Sequence, residues 1–266
     1  MLSNSLKISI VTIVYNGVDK LQRTINSVAK IKLAEIEFIV IDGNSNDGTL
    51  DLIKKNKIHI DRYISEPDDG IYDAMNKGID LSSGEYIIFM NAGDVFYEKF
   101  NSTLFLAFML NNQEKSIFYS DSIQRVGDKK YLNKINDNIQ CWWNENLPSH
   151  QCCFVSRKVL EKNKFKLSLS ISADSEQLIQ IFENYESIKY QEPIAIFELG
   201  GVSNSWSSLK QLWCHLDEMT GVRNMTSVKR FGVYAKYIYK YFLIQVLGYQ
   251  RYYQLSYKLK RKQELK

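Results

Sequence analysis

A chain of 266 residues, 45% hydrophobic and 24% charged, is long enough for one or two folded domains and too apolar for wholesale disorder. Its net charge of +4 is too small to demand nucleic acid as a partner, and the positive charge gathers at the C-terminus. Cys141, Cys152, Cys153 and Cys214 have neither Cys-x-x-Cys spacing nor the density of a disulfide framework, so reduced thiols in a cytoplasmic protein are expected.

The N-terminus, MLSNSLKISIVTIVYN, lacks the basic stretch, long apolar region and cleavage site of a signal peptide. Ile8 to Val14 is a short, continuous β-branched run, the pattern of a strand buried on both faces. A helix follows, with Leu21, Ile25, Val28 and Ala29 on one side. Glu37 to Gly43 reads as the next strand, closed by a turn of Asn, Ser, Asp and Gly, and Thr49, Leu50, Leu52 and Ile53 open a second helix. IHIDRYIS is the third strand, GIYDAMNKGIDL a helix ending near Gly84, and YIIFM the fourth strand. Strands alternating with helices predict a parallel, doubly wound α/β sheet, whose ligands bind beyond the carboxyl ends of the strands. Those ends carry Tyr15-Asn16, Asp42-Gly43 and Asn91 to Asp94.

From about Ser116 the pattern changes. SIFYSDSIQRV and KYLNKI read as antiparallel strands about a turn at Gly127-Asp128. SHQCCFVSRKVLEKN is a strand leading into a helix, SADSEQLIQIFENY an amphipathic helix, and IAIFELGGVSN a last strand. After Trp206 the chain is mostly helical and basic. The glycosylation patterns at Asn101 and Asn224 mean little without secretion.

Seven blocks stand out in order: VTIVYN, VIDGNSNDGT, SEPDDGIYDAMNKGI, FMNAGD, SHQ, ISADSEQL and GGVS. Over about residues 7 to 205 they resemble family 2 glycosyltransferases of GT-A fold, most of all the bacterial branch that builds surface polysaccharides. The resemblance implies a UDP-sugar donor. It places Thr12, Tyr15 and Asn16 at the nucleobase, Asp42 at the uridine, Asn76 at base or ribose and Lys77 near phosphate, with Asp73, Asn91 and Ala92 completing the donor side. Each has a structural alternative. Asp42 suits an Asx cap of the turn DGNSNDG, Tyr15 a packed aromatic, Asp73 a helix-dipole partner and Lys77 a solvated lysine.

Such enzymes commonly carry Asp-x-Asp, which holds a divalent cation against the donor diphosphate and neutralises charge on the leaving UDP. Here Asn91 and Gly93 stand at the two Asp positions, and Asp94 carries the only carboxylate. Mg²⁺ or Mn²⁺ remains compatible, because one carboxylate with phosphates and waters is a known hard-cation shell. The alternative is a turn in which Asn91 and Asp94 cap the following segment. The base that takes the acceptor's proton corresponds to Asp174, at the mouth of a helix where a carboxylate is held ionised. An ordinary helix-start acid, capped by Ser172 and rivalled by Glu176, is the bland reading. His150 and Gln151 resemble the family's HQ pair beside the acceptor sugar, and Gly200 and Gly201 suit a tight backbone approach.

From Val228 onwards Lys and Arg mix with many Tyr and Phe, the composition of a helix in an anionic membrane interface. Packing on the catalytic domain, or in a homodimer, is the other use of such aromatics. The expectation is therefore an α/β GT-A domain over 1–205, with a nucleotide-sugar half to about 115 and an antiparallel acceptor half from 116, and a helical tail over 206–266. It would be an inverting enzyme moving a hexose or N-acetylhexosamine from UDP to a polyprenyl-diphosphate-linked sugar, in O-antigen or capsule assembly at the inner membrane face. The rivals are a catalytically degenerate binding subunit, and a dinucleotide oxidoreductase that the absence of G-x-G-x-x-G after the first strand disfavours.

Overall fold

In the computed structural model, residues 6–137, 147–199, 206, 208–223, 225–260 and 262–265 are described; Cys141, Gly200, Gly201 and Asn224 lie outside them. Strand β1 (Ile8–Val14) is buried along its whole length, as a β-branched run without a polar side must be. It pairs in parallel with β2 (Ile36–Asp42) and β4 (Tyr86–Phe89), and β3 (Arg62–Ser65) continues the sheet beyond β2. Helices α1 (Val18–Ile31), α2 (Thr49–Lys55) and α3 (Ile71–Leu81) make the crossovers. Alternate side chains of β1 serve two cores: Ile8 and Ile10 join Leu21, Ile25 and Val28 of α1, whereas Val11 and Ile13 join Tyr72, Met75 and Ile79 of α3. Gly78 lets α3 lie this close, since a Cβ there would fall 2.4 Å from Val11 Cγ1.

Beyond β4 the sheet turns mixed. β9 (Cys153–Ser156) runs antiparallel to β4 and to β6 (Ile117–Ser120), and β10 (Ser187–Tyr190) runs parallel to β6, completing the seven-stranded order β10-β6-β9-β4-β1-β2-β3. A second sheet holds β5 (Val95–Phe96), β7 (Ser122–Val126), β8 (Lys129–Asn133), β11 (Ala195–Glu198) and β12 (Glu264–Leu265). The single strand expected over SIFYSDSIQRV is thus two strands in different sheets. The break falls at Asp121, whose carboxylate accepts the Ile135 N–H at 2.8 Å and pairs with Lys189 at 3.0 Å. Helix α4 (Ser102–Leu110), which the sequence reading passed over, is capped by Asn101 accepting from the Leu104 N–H at 3.1 Å.

Helices α5 (Arg157–Lys162) and α6 (Ala173–Asn184) cover the α3 side of the main sheet, with Leu160, Leu178 and Ile181 in its core. The tail forms α7 (Leu209–Val222), α8 (Ser227–Leu247) and α9 (Tyr249–Leu259). These share a third core with Val126 and Tyr131 of the second sheet, through Trp206, Leu212, Leu216, Ile244, Tyr253 and Tyr257. The chain end then returns as β12 to pair with β8, so the tail is tied into the fold at both ends. The α/β class, with a mostly parallel sheet, an antiparallel portion and C-terminal helices, is the one the sequence predicts. Among the described residues no helix is long and apolar enough to cross a membrane.

Candidate functional site

The carboxyl ends of β1, β2 and β4 lie side by side, because Val14 registers with Asp42 and Val11 with Phe89. Tyr15 leaves β1 with 67% of its surface exposed, a large aromatic standing in water at the sheet edge. Asn16, in the left-handed region at φ 45°, ties this end to the next loop: its side chain accepts the Asn46 N–H at 2.9 Å and its own N–H donates to Ser45 Oγ at 2.8 Å. Under Tyr15 lies Gly43, where a side chain would start 2.4 Å from Asp68 Oδ2 and 3.4 Å from the Tyr15 ring. Tyr15, Gly43 and Asp68 therefore bracket one small surface. Asp68 was not among the residues singled out from the sequence.

Several expected donor residues face elsewhere. Thr12 is fully buried and donates its hydroxyl to the Met90 carbonyl at 2.6 Å, stitching β1 to the end of β4 and not lining an opening. Asp42 is also fully buried; its carboxylate accepts the Ser45 N–H at 3.2 Å, the Ser45 hydroxyl, and the Ser65 hydroxyl at 2.6 Å. It shapes the loop from within. Asn76 spends its amide on the backbone of Phe165, donating to its carbonyl and accepting its N–H, both at 3.0 Å. Lys77 donates to the Pro67 carbonyl at 2.7 Å and pairs with Glu66 at 3.0 Å and Asp73 at 3.4 Å. Asp73 also accepts the Asp69 N–H at 3.1 Å, so this pair fastens the loop that carries Asp68. Ala92 donates its N–H to the Ile13 carbonyl at 3.2 Å, again joining β1 to the segment after β4.

The segment after β4 meets His150. Asn91 Nδ2 lies 3.3 Å from His150 Nε2, and His150 Nδ1 lies 3.4 Å from Asp174 Oδ2. His150 thus stands between the Asn91 amide at Nε2 and the Asp174 carboxylate at Nδ1, and an Nδ1–H donates to Asp174. Asp174 Oδ1 further accepts the Ser175 N–H at 2.7 Å and the Tyr72 hydroxyl at 3.3 Å. Burial pushes the Asp174 carboxyl upwards, yet His150, the Ser175 N–H and the Tyr72 hydroxyl together outweigh it and hold the group below the usual Asp value. The carboxylate is ionised at neutral pH. Its rival Glu176 is occupied by Lys166 and Gln180.

Asp94 is buried beside this chain and accepts from Gln151 Nε2 at 2.9 Å. Burial pushes its carboxyl up to about 6, against the pull of Gln151 and His150. Asn91 Oδ1 is a buried acceptor without a hydrogen-bond donor among the described residues. A buried carboxylate and an amide oxygen on one short turn are the hard oxygen donors that Mg²⁺ or Mn²⁺ takes. Among the described residues no group of three His, Cys, Asp or Glu gathers as a complete metal cage. The fit is to a cation that draws most of its shell from a ligand and water.

Two residues that the sequence reading missed hold Asp174 in place. Tyr72, at the start of α3, donates to the Ile171 carbonyl at 2.7 Å as well as to Asp174; burial first, and then the Asp174 charge, raise its own ionisation far out of range. Glu218 of α7 accepts the N–H groups of Ser170, Ile171 and Ser172 at 2.8, 2.8 and 2.9 Å, together with the Ser170 hydroxyl. Ser172 stands at the cap position of α6, but its side chain makes no capping bond. The loop before Asp174 is held from α7 instead. The YDAMNKG motif contained a signal for Tyr72; nothing local marked Glu218.

The family model described as glycosyl transferase family 2 matches residues 9–163. A PGL/p-HBAD biosynthesis glycosyltransferase of Mycobacterium bovis is 28% identical over 204 residues, covering 74% of this chain and 79% of its own. An uncharacterised glycosyltransferase of Rickettsia bellii is 34% identical over 133 residues, covering 49% of this chain and 19% of its own. Among solved structures, S. aureus TarS 1-349 in complex with UDP-GlcNAc superposes with a TM-score of 0.62 at 14% identity, covering 88% of this chain and 72% of that one. A Pyrobaculum calidifontis mannosyltransferase in complex with GDP-Man and Mn²⁺ does so with a TM-score of 0.58 at 14% identity, covering 85% and 66%. The ordered blocks, the mixed sheet and the polar edge are thus accounted for together: this chain belongs to glycosyl transferase family 2, and it is a transferase.

Proposed function

We propose that the protein is an inverting glycosyltransferase that moves a hexose or N-acetylhexosamine from UDP to a saccharide carried on a polyprenyl diphosphate, in assembly of a bacterial surface polysaccharide. The observation that carries this reading is the chain Asn91–His150–Asp174, which sets an ionised carboxylate beside the turn that bears Asp94. UDP-GlcNAc in the TarS complex and Mn²⁺ in the mannosyltransferase complex support the donor class and the cation by analogy.

Tyr15 and Asp68, either side of Gly43, would take the nucleobase, one by stacking and one by accepting a ring N–H. Asp42, Asn16, Asp73 and Lys77 keep the loops that present them in shape. Asp94 and Asn91 Oδ1 would hold the divalent cation, which when bound offsets charge on the departing diphosphate. Asp174 would accept the acceptor hydroxyl's proton as its oxygen attacks the anomeric carbon from the face opposite UDP. His150 and Tyr72 aim that carboxylate, and Gln151 aims Asp94. The lipid-linked acceptor places the reaction at the inner membrane face.

Thermal-shift measurements with UDP-glucose, UDP-galactose and their N-acetyl forms, with and without Mn²⁺, test the donor half. A shift with one sugar nucleotide that Mn²⁺ enlarges is expected. No shift with any of the four, at millimolar concentration, would exclude the reading.

A further inference from the structure

The C-terminal helices are apolar on two sides, and among the described residues only one side is covered. Val233, Tyr237, Tyr241 and Ile244 of α8 pack into the third core. On the other side Val228, Phe231, Ala235, Tyr239, Phe242 and Val246 are all exposed, Phe231 at 78%, Tyr239 at 67% and Val246 at 80%. At 3.6 residues per turn these six fall within about 80° of one another, a single stripe along the helix. α9 adds exposed Leu255 and Leu259. A packed helix has no need of a second apolar face, and a soluble monomer rarely shows one of this length.

Charge identifies the occupant. Between Glu218 and Glu264 the chain has ten Lys or Arg and no Asp or Glu. Lys229, Arg230 and Lys236 of α8, and Arg251 and Lys258 of α9, are exposed around the apolar stripe. Lys240 differs: its ammonium is turned inward over the rings of Trp206, Tyr237 and Tyr253, at 4.9, 5.3 and 5.0 Å. A second copy of the chain, packed by two-fold symmetry through the stripe, would set basic flanks against basic flanks with no acid on α8 or α9 to answer them. A surface that is anionic outside and apolar beneath answers both features.

We infer that α8 lies in the headgroup region of an anionic lipid bilayer, its stripe inserted among the acyl chains and its basic flanks on the headgroups. This deepens the membrane-located reaction proposed above and rests on that reading for its purpose, though vesicle binding is read without turnover. Because α7 both packs on α8 and carries Glu218, the docked helix and the loop before Asp174 belong to one packed unit.

Flotation of the full chain with phosphatidylcholine vesicles, with and without phosphatidylglycerol, tests it. Binding should require the anionic lipid, weaken with salt, and fall about tenfold or more in a Phe231→Ser/Phe242→Ser variant and in a Lys229→Gln/Arg230→Gln/Lys236→Gln variant. Exposed positions leave the unfolding temperature unchanged, which separates lost docking from lost folding. Equal binding to both vesicle types, or undiminished binding by the Phe variant, would overturn the proposal. So would a dimer in solution that the Phe variant splits while wild type ignores vesicles. UDP-sugar turnover without vesicle binding would sink the surface and spare the transferase; vesicle binding without turnover would do the reverse.

Discussion

Glu218 receives the backbone N–H of Ser172 at 2.9 Å, two positions ahead of the carboxylate assigned as base. The bond crosses from a tail helix to the catalytic layer, and two more N–H groups of the same loop point at the same carboxylate. Glu218→Ala should therefore lower kcat about 10- to 100-fold, the cost of a small misplacement of a reacting group, while the KM for the donor stays within about twofold. Glu218→Gln, which keeps an acceptor oxygen, should recover part of the loss. Steady-state kinetics of both variants check this; a loss confined to KM would place Glu218 on the donor side.

In the proposed cation site, Asp94 would tie cation binding to pH. Its carboxyl is pushed up to about 6 by burial, so protons compete with a cation as the pH falls through that value. Calorimetric titration of Mn²⁺ with UDP should show about tenfold weaker binding at pH 5 than at pH 7.5. Asp94→Asn should weaken binding at both pH values and remove the difference between them.

His215 makes stability depend on pH. It is buried against Trp206 and Tyr237, and burial, assisted by the Lys240 charge, lowers its pKa to about 4 from the ordinary 6.5. The unfolded chain takes up this proton at higher pH than the folded one. The stability is thus fully present above about 6.5 and is lost as pH falls from there to about 4, by roughly 3 kcal/mol. Urea unfolding at pH 7.5 and pH 5 should show the decline, and His215→Phe should reduce it.

The close approach of α3 to β1 is the fourth test. Gly78→Ala would put a methyl 2.4 Å from Val11 Cγ1 in a fully buried contact, so a loss of about 1–3 kcal/mol is expected by urea unfolding. Val11→Ala in the same chain should relieve part of it. An additive pair of losses would show that the helix had simply moved away.

The alternation of strands and helices up to Phe89 was readable because each element there is local: a β-branched run, a helical stripe, a turn of small residues. The second half was less readable because its strands find partners far along the chain. SIFYSDSIQRV looks continuous until Asp121 meets Lys189 and Ile135 from other elements. STLFLAFML is apolar all round and so shows no stripe, and α4 went unread. The same rule holds at the site. Motif spacing singles out Asp174, His150 and Asp94 without showing that they meet, and it gives no sign that the Asn76 amide bonds the backbone of Phe165, 89 residues away. Glu218 had no motif at all, because what it holds is backbone.

The central claim is that Asp174 takes a proton during transfer from a UDP-sugar. The direct measurement is UDP release from the sugar nucleotide that stabilises the protein, in the presence of a polyprenyl-diphosphate-linked saccharide, for wild type and for Asp174→Asn. The expected result is a kcat lower by about 10²- to 10⁴-fold in the variant, with UDP affinity within about twofold of wild type. Undiminished turnover by Asp174→Asn would contradict it.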